Sequence, residues 1–178
     1  MRVAGDTDGS GGAPDWKLLD YADETAFRFW ERRSCGVTCL RLAYDTLLGL
    51  DTRPGALTEE LLVAGAYSEE NGWIHEGLAN HARSNGLFAE RLCVSSKAEL
   101  VGLFRLPGVC IASVGPSFDS PGSRGHLVIA EGVSEDGQII VRDPYTKAES
   151  GSPGMAIEMN VFWEHFSGRV IRLSNVPE

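Results

Sequence analysis

Arg33-Ser34-Cys35-Gly36-Val37-Thr38-Cys39-Leu40-Arg41-Leu42-Ala43-Tyr44 turns from polar to amphipathic at Cys35. Val37, Leu40, Leu42, Ala43, Tyr44, Leu47 and Leu48 make a broad apolar face at helical spacing, and Gly49 can end the run. A helix over residues 36–48 is therefore expected. Cys35 would sit at its N-terminus, where unpaired N–H groups and the positive end of the helix dipole favour a thiolate. A thiol so placed is a candidate nucleophile.

Outward from that helix, the first part of the chain reads as mainly helical. Trp16 to Tyr21 is a first strand or a packed arm, and Ala22 to Ser34 a polar lead-in carrying Phe27, Phe29 and Trp30. A second helix starts at Thr58 with acidic residues in its first turn, and a third opens at Gly72-Trp73-Ile74-His75 and stops at Gly86. After a strand over 87–94, Ser96-Lys97-Ala98-Glu99 has the form of a capping box ahead of Leu100, Val101, Leu103 and Phe104. Then β-branched runs at 108–114, 126–133 and 138–142 alternate with turn residues; a helix over 157–166 and a strand over 169–173 close the chain. The expected class is α+β, a helical N-terminal part packed on a mostly antiparallel sheet in the C-terminal part.

Composition narrows the function. The 178 residues fit one domain, expected over 15–178, with a disordered tail over 1–14. With 43% apolar and 23% charged residues, a packed core is affordable. A net charge of −9 repels phosphate backbones and anionic lipid, so neither nucleic acid nor membrane is an expected partner. There is no long apolar span and no signal-peptide core, which makes a cytoplasmic location the expectation. Thiols stay reduced there, and Cys35, Cys39, Cys93 and Cys110 show no disulfide spacing, so all four are expected free. No cofactor and no metal is called for: Cys35 and Cys39 lack a second ligand pair. Cys39, Cys93 and Cys110 read as structural, as do His75, His81 and His165.

Far downstream lie Gly125-His126-Leu127-Val128-Ile129 and Val141-Arg142-Asp143-Pro144, joined through Ser134-Glu135-Asp136-Gly137. If Glu135 and Asp136 form a two-residue hairpin turn, Val128 faces Asp143, and His126 and Asp143 become diagonal neighbours on one face. A three-residue turn without a bulge would reverse that parity. Together the three side chains make a Cys35-His126-Asp143 triad. The carboxylate orients the imidazole, the imidazolium holds the thiolate, and the thiolate attacks a carbonyl. The loop Gly115–Gly125, just before His126, is the expected mobile, gating segment.

Cys35-Gly36 opening a helix, Gly125-His126 opening an apolar strand and Asp143-Pro144 ending the next strand together resemble the peptidase C39-like family of papain-like cysteine peptidases. The resemblance spans about residues 16–173. It implies a papain-like fold, the triad just described, a peptide or small amide substrate, and no metal or cofactor. Active members usually carry a Gln about six residues before the Cys, as a donor to the oxyanion; here that residue is Phe29. The remaining candidates are Arg32, Arg28 and the Trp30 indole, with the Cys35 backbone N–H. Loss of one such donor costs ~2.7–4 kcal/mol of transition-state stabilisation. The same machinery also serves acyltransferases, and without the Gln it suits an inactive peptide-binding module. Substrate identity and oligomeric state lie beyond the sequence.

Overall fold

The computed structural model describes residues 16–115, 125–144 and 154–176. The expected tail lies outside these residues, as does the expected gating loop apart from its ends, Gly115 and Gly125.

The first helix was not expected. Residues read as a polar lead-in form α1 (Glu24–Glu31), because the Asp23 carboxylate accepts from the Ala26 N–H at 2.7 Å. Phe27 and Trp30, three apart, give it one buried face. α2 (Cys35–Leu48) follows almost at once and ends on Gly49 in the left-handed conformation. α3 (Pro54–Val63) begins earlier than expected, since Pro54 is suited to the first helical turn. Trp16 to Tyr21 is a turned arm, not a strand, and Trp16 and Leu19 pack on the core.

β1 (Tyr67–Ser68) and β2 (Gly72–Trp73) make a small antiparallel ribbon, so Gly72 belongs to the ribbon and α4 (His75–Ser84) starts after it. β3 (Phe88–Cys93) leads to α5 (Lys97–Phe104). The capping box there is half formed. Ser96 Oγ accepts from the Glu99 N–H, while the Glu99 carboxylate accepts from the N–H and hydroxyl of Ser95.

The remaining elements are β4 (Val109–Val114), β5 (His126–Val133), β6 (Ile139–Arg142), β7 (Met155–Ile157), α6 (Met159–His165) and β8 (Phe166–Ser174). Six strands form one antiparallel sheet in the order β3-β8-β4-β5-β6-β7. Side chains alternate across it. Val109, Ile111, Leu127 and Ile129 join the core shared with α2, α3 and α4. Cys110, Ala112, Val128 and Ala130 join a second core with Leu100, Phe104 and Phe162 of α5 and α6. The architecture is the expected α+β arrangement, with helices on both faces of the sheet. Among the described residues, no helix is long and apolar enough to cross a membrane.

Candidate active site

Cys35 is the first residue of α2 and retains 6% of its exposure. Its N-cap, Ser34, makes no side-chain cap; the hydroxyl instead donates to the Glu31 carbonyl. The first-turn N–H groups of α2 thus keep the capacity to face an anion. Gly36 is a glycine for a steric reason. A Cβ there would lie 2.4 Å from Cγ of Trp73. The Trp73 indole lies over the start of α2 and donates its N–H to the Arg33 carbonyl at 2.5 Å. This clamp on the start of α2 was not foreseen, because nothing in the sequence links Trp73 to Gly36.

His126 opens β5 after Gly125, and Asp143 follows β6; they retain 2% and 4% of their exposure. The hairpin between them differs from the expected one in two places that cancel. Ser134 N–H bonds the Gln138 carbonyl, so the turn holds three residues, and Val133 faces Ile139. A bulge at Glu131, between Ala130 and Gly132, then restores the expected pairing of Ala130 with Val141. His126 and Asp143 therefore share a face, and His126 Nε2 lies 2.6 Å from Asp143 Oδ1.

A carboxylate can only accept at that distance, so Nε2 carries the proton; Cys35 is the imidazole's other hydrogen-bonding neighbour. Burial lowers the imidazole's proton affinity. The hydrogen bonds to Asp143 and then Cys35 outweigh it, and the pKa is lifted to about 9. Cys39, one turn further along α2, is fully buried, and its thiol is pushed well up by burial and then by Cys35 and Asp143. It is a neutral packing residue beneath the pair, as expected. Cys110 is likewise buried, and burial pushes its thiol to about 12. Cys93 is exposed, contrary to its reading as a structural residue. All four cysteines are free. Among the described residues no group of His, Cys, Asp or Glu is arranged to hold a metal.

The oxyanion candidates are less evenly placed. Arg28 is spent on Glu24, to which its Nε and Nη2 donate at 3.0 and 2.6 Å on the outer face of α1. Arg32 caps the end of α1 with its side chain exposed. Trp30 is buried among Phe29, Tyr67 and Trp73, with ring centroids 4.9, 4.9 and 5.8 Å away. Phe29 itself is 40% exposed and carries the Arg33 guanidinium 4.1 Å above its ring.

No protein-family model and no curated protein matches the chain. Solved structures do. The peptidase domain of Streptococcus ComA, a bifunctional transporter of a quorum-sensing pathway, superposes with a TM-score of 0.63 at 17% identity, covering 82% of this chain and 93% of that one. The N-terminal C39-like domain of a toxin-secretion ATP-binding protein from Vibrio parahaemolyticus gives 0.53 at 18% identity, covering 79% and 96%. A double-glycine-motif protease of an AMS/PCAT transporter, solved with its leader peptide, gives 0.51 at 16% identity, covering 79% and 83%. At such identity the likeness speaks for backbone architecture, and this chain has the papain-like fold of the C39 peptidase domains.

Proposed function

We propose that the chain is a thiol peptidase or amidase acting on a peptide or small amide through Cys35, His126 and Asp143. The observation that carries the reading is the buried hydrogen bond of 2.6 Å between His126 and Asp143, with Cys35 as the imidazole's other partner.

In this mechanism the Cys35 sulfur forms a bond to the carbonyl carbon, and the carbonyl π pair moves to oxygen. The Cys35 backbone N–H, at the start of α2, faces that oxyanion, with Arg32 or the Trp30 indole as the second donor. As the tetrahedral intermediate collapses, the C–N bond breaks and His126 Nδ1 gives its proton to the departing amine. The same nitrogen then takes a proton from water, whose oxygen attacks the thioester; the C–S bond breaks, releasing the acid and restoring the Cys35 thiolate beside the imidazolium. Asp143 keeps the imidazole in the tautomer this sequence needs. Four free cysteines fit a reducing compartment such as the cytoplasm.

Phe29 favours a second reading, a peptide-binding module without turnover, because the position that carries the oxyanion donor in active C39 peptidases holds a ring. Cys35→Ser separates the two. A peptidase loses hydrolysis of a mixed peptide substrate while the variant keeps its fold. Turnover that survives in Cys35→Ser refutes the covalent mechanism, and no turnover in the native chain favours the binding module.

A further inference from the structure

Beside the triad lies a pocket of about 350 Å³ whose wall includes Trp73, Gly125, Ser113, His75, Arg91 and Arg169. Trp73 covers Gly36, the residue after Cys35, and Gly125 precedes His126. The pocket wall thus includes the residue before His126 and the ring packed on the residue after Cys35.

Two arginines, Arg91 and Arg169, against one carboxylate, Glu76, leave its wall net positive in a protein of net charge −9. Arg169, on β8, has no carboxylate partner among the described residues; its Nε reaches only Ser167 Oγ, at 3.5 Å. Arg91, on β3, commits Nη1 to Glu76 at 3.1 Å, and Glu76 is already matched by Arg83 at 2.9 Å. His75 adds no charge, because burial and then the two guanidinium groups hold its pKa down to about 4. The fourth polar group is Ser113. It retains 2% of its exposure and lines the pocket, where its hydroxyl can donate to a ligand. Two guanidinium groups and one hydroxyl donor converging beside the scissile position suit a carboxylate.

We infer that this pocket is a specificity subsite for an acidic side chain of the substrate, bound by Arg169, Arg91 and Ser113. The inference rests on the peptidase reading for its biological sense, and it is tested separately from it. The probes are fluorogenic peptides in which a single Glu, or Gln in its place, is moved through the positions flanking the central bond. Turnover is read on the native full-length chain, and equilibrium binding by fluorescence anisotropy on full-length Cys35→Ala.

At one position Glu is expected to be preferred over Gln by about tenfold. The Glu-to-Gln ratio should fall to near one in Arg169→Gln, be partly kept in Arg169→Lys, and shrink at high salt. Arg91→Gln is the second variant, with circular dichroism checking that each remains folded. A ratio near one at every position in both measurements overturns the subsite, as does a ratio that Arg169→Gln and Arg91→Gln leave unchanged. Turnover without a Glu preference removes the subsite and leaves the peptidase standing. A preference in binding that Arg169→Gln abolishes, with no turnover of any peptide, supports the pocket and removes the peptidase.

Discussion

Gly36→Ala tests how the helix that carries Cys35 is held. The added methyl would lie 2.4, 2.7 and 2.8 Å from three ring carbons of Trp73. Carbon atoms rest at about 3.5–4 Å, so the ring must retreat by roughly 1 Å. It has little room, with Tyr67 and Trp30 at centroid distances of 5.0 and 5.8 Å, and its N–H is held by the Arg33 carbonyl. Overpacking costs about 1–3 kcal/mol, and a weakened indole hydrogen bond adds about 1 kcal/mol. Helix propensity works the other way, since alanine gains at most ~1 kcal/mol over glycine. The net is a loss of about 1–3 kcal/mol, measurable by urea unfolding followed by circular dichroism. In a Trp73→Leu background the loss should shrink or change sign. A Gly36→Ala chain at least as stable as the native one, with Trp73 present, would refute the steric account.

Asp143→Ala removes the acceptor from a buried imidazole and should cost about 3–5 kcal/mol in a thermal or urea melt. Hydrolysis should fall by ~10²–10⁴ in kcat/KM; a variant indistinguishable in both would be inconsistent with the triad. His126 has its folded pKa raised above the ordinary value, so its stabilisation is complete below about pH 6.5 and is lost as pH rises through about 9. Urea midpoints from pH 6 to 10 should trace that loss, and the alkaline limb of activity should lie near the same pH; a flat stability profile speaks against it. Cys39→Ser places a hydroxyl in a fully buried apolar site and should destabilise by about 1–3 kcal/mol, read by the same melts. Ser96→Ala strips the N-cap of α5 and should cost about 1 kcal/mol.

How far the sequence reached depended on whether a signal was local. Cys35 at a helix start follows from an apolar face repeating over one continuous segment, and the strands around His126 and Asp143 follow from β-branched runs between turn residues. The shared face of His126 and Asp143 was legible only through compensation. The three-residue turn and the bulge at Glu131 each shift register by one, and no residue pattern announced the bulge beforehand. α1 was hidden because its apolar face is just Phe27 and Trp30, though Asp23 three residues before Ala26 was a readable cap. The Trp73–Gly36 clamp, the pairing of Arg28 with Glu24, and the gathering of Arg91, Arg169 and Ser113 join residues through side-chain packing or through strands far apart in the chain. Such contacts leave no periodic trace.

The central claim concerns one sulfur, and its alkylation rate addresses it most directly. Cys35 retains 6% of its exposure while Cys93 is exposed and serves as an internal reference. With iodoacetamide at pH 6–7, mass spectrometry should find Cys35 modified faster than Cys93 despite its burial, and the order should reverse in His126→Ala. Faster labelling of Cys93 in the native chain, or a Cys35 rate that His126→Ala leaves unchanged, would contradict an imidazole-activated thiolate.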